Sequence, residues 1–523
     1  MNKILRTALI YSPALLLLCS APLLSSHSIG VLGVDAIDTL QLRWLFWQPE
    51  QAFWPMGYPV HQLAPNWLDH LSAGLLLALP APLGDNIWTL LMLLLNGLAA
   101  HHLGRRVSSH RWSGAAGALM LLSCEAMWRE VNLQHAPQLM LFAPLMLLAE
   151  LSGESPRARR VGIWLGVSAL CYWFWAPMLL LATAPLLYRR SRKWMLVAAG
   201  WTAALTGPQL LWMLLQRPAI LSSPQTLPMN GLTVQEAHGS ELDFWLRTSW
   251  VDSSNLLPIS ALIVAAMVLW QQRPWRQLWM LGLGAVMLLG PSLNGLSLPF
   301  SWLSALPGFE RLMWPERWGI IAFFGLMLLV LRHRWALPAA ALMLVEMLAR
   351  SPNLPVQHSS LVGLQPLTAL QSLEGAVLSL PIEAGPINRS ALEQRFHQRP
   401  LVNPMLLPPQ VAPPGDWESW RQQQPWMQEL VEQQQLSETG ASALRSSGIG
   451  ALILSEGWAA SPGAAALQER LSDRLGAPQR LGCHWIWLLE TPSTELSEQL
   501  EAMQLCEPES PIEGKWLQRP IGG

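Results

Sequence analysis

Residues 161–188 read VGIWLGVSALCYWFWAPMLLLATAPLLY, and the fold turns on how this stretch is divided. A spanning helix needs about 20 residues to cross the hydrocarbon core. The stretch is too long for one straight span and too short for two full ones. Pro177 follows the aromatic run Tyr172–Trp175, so the reading is two short helices, 161–174 and 176–188, meeting inside a cavity. Short helices are tolerated at membrane depth where protein or water surrounds their ends.

Charge placement tests that division. Apolar runs recur near 7–25, 86–103, 113–127, 137–151, 161–174, 176–188, 194–215, 256–270, 277–290, 318–331 and 336–349, eleven in all. With the N-terminus inside, the cytoplasmic segments hold 16 Lys and Arg and the opposite side 7. This is the asymmetry that the positive-inside rule demands. Merging 161–188 into one span breaks it at once. Residues 1–25 have a basic start and an apolar centre, and the runs that follow favour an uncleaved anchor over a cleaved signal. Many of the 29 Trp sit at span ends, including Trp88, Trp112, Trp128, Trp194, Trp270 and Trp335, where indole favours the interface.

Composition agrees. Of 523 residues, 51% are hydrophobic and 13% charged, with a mean hydropathy of +0.27. Soluble chains of this size carry about 25% charged residues. A cytosolic enzyme, a fibrous protein and a disordered chain are excluded, and 5 Cys are too few for a disulfide scaffold. The net charge of −1 provides no field for nucleic acid. Residues 1–350 carry 23 Lys and Arg against 16 Asp and Glu, net +7; residues 351–523 carry 10 against 18, net −8. Two domains follow: an all-α polytopic membrane domain over 1–350, of about 11 spans, and a small soluble α/β domain over 351–523, placed outside by the odd span count. In the tail, apolar runs at 376–382, 449–455 and 484–489 read as strands. Residues 392–398, 416–436 and 463–475 read as helices. Trp485 and Trp487 are expected on a face packed against the membrane part. Cys483 and Cys506 could pair there.

The chemistry-bearing residues cluster in the outer loops. Asp35 and Asp38 follow the first span, in VDAID, beside a turn-rich WPMGYPVHQLAPN. A carboxylate at the mouth of a membrane cavity suits a general base or a metal ligand; a solvated loop is the plainer alternative. The second loop, SCEAMWREVNLQHAPQ, gathers Glu125, Arg129, Glu130 and His135. Glu125 and Arg129 have the spacing of a helical ion pair. A later loop, LPGFERLMWPERW, holds Arg311 and Arg317, the latter at the start of an apolar helix. A guanidinium fork there matches the oxygens of a lipid-borne phosphate. Snorkelling to headgroups, or pairing with Glu316, is the alternative. A Gly-rich phosphate loop with Lys, a Cys/His metal cluster and a serine nucleophile elbow are not found.

These features resemble the GT-C class of integral membrane glycosyltransferases. VDAID and WPMGYPVHQLAPN are similar to the opening of that class. LPGFERLMWPERW and the tail segments AVLSLPI, HQRPLVNP and RSSGIGALIL resemble its uncharacterised bacterial members. The resemblance implies transfer of a sugar from a polyprenyl-phosphate carrier to an acceptor at the outer face of a bacterial inner membrane, with membrane lipid as surroundings. The acceptor could be a glycan, a lipid or a protein. It implies Asp35 as base or metal ligand, with Asp38 second, and a divalent ion such as Mg or Mn is a cofactor open to such acids. VDAID spaces its acids by three rather than as Asp-x-Asp, which favours base catalysis over metal binding. Two other classes stay open. A transporter or lipid flippase would use an ionisable group at mid-membrane, with Glu346 as candidate. A non-enzymatic scaffold would bind an envelope partner through its tail.

Overall fold

The computed structural model describes residues 11–12, 15, 18–19, 30–32, 83–132, 139–188, 190–215, 259–272, 275–290, 292–293, 296–304, 317–351, 356, 358–360, 362–380, 393–394, 396–402, 420–430, 435–455, 462–482, 484–491 and 496–497. They form two compact units, one of residues up to 359 and one from 360 onward.

The first unit is helical. Its helices are α1 (Leu83–Val107), α2 (Ser113–Leu122), α3 (Glu125–Asn132), α4 (Phe142–Leu151), α5 (Ala158–Cys171), α6 (Trp175–Leu187), α7 (Arg192–Leu215), α8 (Ile259–Gln272), α9 (Trp275–Leu288), α10 (Pro299–Ser304), α11 (Trp318–Val330) and α12 (Ala336–Arg350). Short strands β1 (Gly30–Leu32) and β4 (His358–Ser360) lie near its ends, and β2 (Ser292–Leu293) pairs antiparallel with β3 (Leu296–Ser297). Among the described residues, one helical stretch, Asn86–Val107, is by itself long and apolar enough to cross a membrane; five apolar helices are shorter. The stretch 161–188 is two helices, α5 and α6, broken at Tyr172–Phe174. The run expected as one helix over 113–127 also divides. Ser123 turns with its Oγ on the Met120 carbonyl at 2.7 Å, and Glu125 opens the separate α3.

α11 is the centre. All thirteen of its residues are buried, and α3, α6, α8 and α9 pack on it. Its contact with α9 is backbone to backbone. A Cβ on Gly284 would lie 2.3 Å from the Ala322 nitrogen, and one on Gly325 would lie 2.4 Å from the Leu281 nitrogen. Small residues allow such approach where apolar burial alone gives helices no reason to associate. At the end predicted to face the cytoplasm, the buried Glu150 of α4 draws three segments together. It lies 3.7 Å from Arg106 and 3.7 Å from Arg160, and accepts from the Arg157 backbone at 3.0 Å.

The outside of this unit is apolar. Leu196, Leu211, Ile263, Leu342 and Val345 are exposed, and Trp270 is 91% exposed. Apolar side chains spread in this way over several helices suit hydrocarbon rather than water.

The second unit carries a four-stranded sheet in the order β5-β6-β8-β7: β5 (Ala376–Leu380), β6 (Ile449–Ser455), β7 (Gln479–Leu481) and β8 (His484–Leu488). β5 and β6 run parallel; β8 is antiparallel to both β6 and β7. Helices α13 (Pro425–Gln428), α14 (Glu438–Arg445) and α15 (Pro462–Leu475) accompany it, and Leu378, Leu452, Leu454, Leu471 and Trp426 fill the core. Three strands fall where the apolar runs placed them. β7 and α14 were not anticipated, being short and polar. Trp487 corrects an expectation: its indole packs in this unit's own core and donates to the Gly476 carbonyl at 3.1 Å. Trp485 packs against the same core, with Arg480 5.5 Å from its ring. Alternation along the strand could not say which body covers the face.

Gly325→Ala should lower the melting temperature of the detergent-solubilised chain, at a cost of about 1–3 kcal/mol, because the new methyl meets the α9 backbone. Gly282→Ala, with open space around it, is the control and should melt like the parent. Equal melting of the two variants by tryptophan fluorescence contradicts the packing described.

Candidate functional site

Arg317 immediately precedes α11, and its side chain is half-buried. Its Nη1 donates to the hydroxyl of Tyr172, and its guanidinium carbon stands 5.4 Å from that ring's centre. Tyr172 lies in the break between α5 and α6. The break follows from its residues: the Tyr172 backbone is extended at φ −151°, and three aromatic side chains succeed it before Pro177 enters α6. Tyr172 meets Trp175 edge-on at 5.6 Å and Phe174 at 5.5 Å. The guanidinium thus enters an aromatic corner, where cation–π attraction and a hydrogen bond both hold it.

α3 packs on the same central helix. It is an amphipathic helix of about two turns whose charged residues lie inward. Glu125 and Glu130 are each 1% exposed. Arg129 donates to Glu130 Oε1 from Nε at 3.1 Å and from Nη2 at 2.6 Å. Spacing pointed to Glu125 as Arg129's partner, and the structure adds Glu130, its chain neighbour. Burying carboxylates beside apolar helices is costly unless they are paired. Trp128 fixes the helix by donating to the Leu122 carbonyl at 2.7 Å.

Several buried polar side-chain atoms have no partner among the described residues. Trp175 Nε1 and Trp318 Nε1 have no hydrogen-bond partner among the described residues, and neither do the two amide atoms of Gln209. Trp175 and Trp318 are 1% and 0% exposed, and Gln209 0%. Each such group costs about 1–3 kcal/mol when left unmade. Along α5 and α7, Gly162 faces Ala198 and Gly166 faces Thr202 and Leu205.

Of the residues expected from sequence, Arg317, Glu125, Arg129 and Glu130 are placed as above. Asp35, Asp38, Arg311 and His135 lie outside the described residues, as do Cys483 and Cys506. The residues not singled out are Trp175, Trp318 and Gln209; the aromatic run itself was the available signal for the first. Among the described residues no three His, Cys, Asp or Glu stand together as metal ligands. Glu346, the transporter candidate, has structural work. It accepts from Ile259 N at 2.7 Å, Ser260 N at 3.0 Å and Ser260 Oγ at 2.8 Å, which satisfies the start of α8, and it pairs with Arg350 at 2.5 Å.

The second unit has its own buried polar group. Ser379 Oγ donates to Glu393 Oε2 at 2.8 Å, and His484 Nε2 lies 3.4 Å from Glu393 Oε1. His397 Nδ1 accepts from the Arg399 backbone at 3.0 Å. The carboxylate stands between hydroxyl and imidazole, so the imidazole cannot take the hydroxyl's proton as a nucleophilic triad requires. Burial pushes the His397 imidazole down to about 3; Glu393 opposes this, and Arg399 and His484 add to it. The cluster is a structural polar core.

No family model matches the chain, and no curated protein does. Two solved structures are similar. The arabinofuranosyltransferase AftD from mycobacteria matches at 16% identity with a TM-score of 0.49, over 94% of this chain and 42% of that one. ArnT from Cupriavidus metallidurans matches at 15% identity with a TM-score of 0.40, over 93% of this chain and 99% of that one. This chain spans less than half the length of AftD.

His397 is held neutral when folded and titrates near 6.5 when unfolded, so the unfolded state binds the extra proton. Its contribution is complete above pH 6.5 and shrinks as pH falls toward 3. Measured against the intrinsic amide rate, which itself slows as pH falls, the hydrogen-exchange protection of β5, β6 and β8 in the full chain should therefore weaken from pH 7 to pH 5, and His397→Gln should blunt the change. Equal pH dependence in parent and variant contradicts this assignment.

Proposed function

We propose that this chain is an integral membrane glycosyltransferase that takes a sugar from a polyprenyl-phosphate carrier. The N-terminus is cytoplasmic, about eleven segments cross the membrane, and residues 351–523 lie outside. The observation that carries the reading is the half-buried Arg317 guanidinium, held by Tyr172 at the start of a wholly buried apolar helix on which the acidic α3 also packs. A fixed cation at the rim of an apolar bundle suits a ligand whose head is an anion and whose tail is hydrocarbon. The apolar exterior of the first unit supports the membrane setting.

The chemistry follows from this placement. The acceptor hydroxyl is weakly nucleophilic, so a carboxylate accepts its proton as oxygen bonds to the anomeric carbon. Asp35, with Asp38 second, is assigned that role from its position after the first span. The bond from the anomeric carbon to the carrier phosphate breaks, and the electron pair leaves with the phosphate. Arg317 offsets the charge that develops there. Arg311, Arg129, Glu125, Glu130 and His135 are assigned to the surroundings of the reacting groups. If a divalent ion takes part, Asp35 and Asp38 are its assigned ligands. The transporter reading loses its support, because Glu346 caps α8.

In a host whose surface glycan depends on the chain, Arg317→Ala should lower transfer by about 100-fold, the scale of losing one transition-state charge partner. Arg317→Lys should recover part of it, and Asp35→Asn should lose activity while the protein still accumulates. Full function of both Arg317→Ala and Asp35→Asn defeats the assignment. Glu346→Gln should leave transfer unchanged while lowering the melting temperature, through loss of charged hydrogen bonds worth about 1.5–3 kcal/mol. Loss of function without loss of stability in that variant would restore the transporter.

A further inference from the structure

Two buried indoles adjoin the Arg317–Tyr172 contact, one through the chain and one through a ring contact. Trp318 follows Arg317 in the chain, and Trp175 meets the Tyr172 ring edge-on at 5.6 Å. α6 and α11, which carry them, pack on each other. Both nitrogens are sealed from solvent, and both lack an acceptor among the described residues. An indole N–H can only donate, and so can a guanidinium. Unmet donors in native interiors call for an explanation, and two beside a fixed cation point to an acceptor that arrives from outside the chain.

We propose that Trp175 and Trp318 complete, with Arg317, a donor-only seat for the phosphate of a lipid-borne ligand. The proposal rests on the glycosyltransferase reading for the source of that phosphate. The seat's chemistry selects among ligands. Sugar hydroxyls both donate and accept, and a donor-only seat would leave their hydrogens unpaired. An ionised phosphate offers oxygens alone and matches it. The guanidinium provides charge, and the indoles provide direction without adding a charge that would need its own counter-ion in an apolar bundle. The break at Tyr172–Phe174 has a purpose on this view. It ends α5 and lets α6 begin with an indole, as α11 does. Trp175 and Trp318 are binding residues in this proposal, and they hold the leaving phosphate rather than the reacting carbon.

The test uses the full chain purified in detergent, with farnesyl phosphate as probe, farnesol as its phosphate-free counterpart and inorganic phosphate as competitor. Trp175→Phe and Trp318→Phe remove each N–H and keep an aromatic ring. Each should weaken farnesyl phosphate binding by about tenfold, the scale of one hydrogen bond to a charged group, and leave farnesol binding unchanged. Where phenylalanine leaves a gap that lowers the melting temperature, 3-benzothienylalanine at the same position keeps the bicyclic ring and replaces N–H by sulfur; the same tenfold loss is expected. Parental affinity in the doubly substituted chain, with Arg317→Ala still weakened, overturns the indole seat and leaves the Arg317 reading standing. Parental affinity in all three overturns both. Competition by inorganic phosphate as strong as that by farnesyl phosphate overturns the lipid-borne source.

Discussion

The burial of α11 on every side is the constraint from which the first unit follows. A thirteen-residue helix without one exposed side chain can exist only if other helices enclose it, and α3, α6, α8 and α9 do so. The glycines at 284 and 325 let α9 approach until backbones touch, which leaves no room for water along that contact. Such a helix must begin somewhere, and its first turn exposes unpaired N–H groups to the same apolar surroundings. The chain places Arg317 there and satisfies it with the hydroxyl and ring of Tyr172. That cation at the helix's start is therefore fixed by aromatic packing.

Fixing the cation has consequences for chemistry. A charge in a partly dry site acts more strongly on a ligand than the same charge in water. It also needs no reorganisation when negative charge grows on a departing phosphate. The paired acids and arginine of α3 lie against the same central helix, so both signs of charge are gathered in the interior of one bundle. The end predicted to face the cytoplasm contrasts with this. There Glu150 is a fastener for α1, α4 and α5, and Arg–Trp contacts such as Arg159 over Trp201 at 4.7 Å line the helix ends. Buried ionisable groups hold helices together at one end and, on the reading proposed, handle substrate at the other.

Several helices were legible in the sequence because their apolar runs have a length and a flanking charge that favour one arrangement. Residues 161–188 are the clearest instance, since their division into α5 and α6 was dictated by length, Pro177 and loop charge before any coordinate. Residues 113–127 were misjudged for a related reason. Hydropathy does not register the Ser123 turn, whose hydroxyl takes a carbonyl three residues back. In the site, Arg317 was visible as a guanidinium at a helix start. Its partner was not, because 145 residues separate it from Tyr172 and no local pattern couples them. The pairing of Arg129 with Glu130 was hidden likewise, adjacent residues being a poor prior for contact on a helix. Unpaired indoles such as those of Trp175 and Trp318 leave no trace in sequence at all, since a tryptophan at a span end reads as an interfacial anchor. Asp35 and Asp38 rest on sequence alone.

The central claim is that Arg317 and its aromatic corner receive a phosphate carried by a lipid. Photo-crosslinking addresses it most directly, using a polyprenyl phosphate with its photoreactive group beside the phosphate, followed by peptide mapping of the full chain. The account predicts label on the peptides containing Tyr172–Trp175 and Arg317–Trp318, suppressed by excess unlabelled carrier. Label confined to the exposed apolar faces of α7, α8 and α12, and insensitive to competitor, would contradict it.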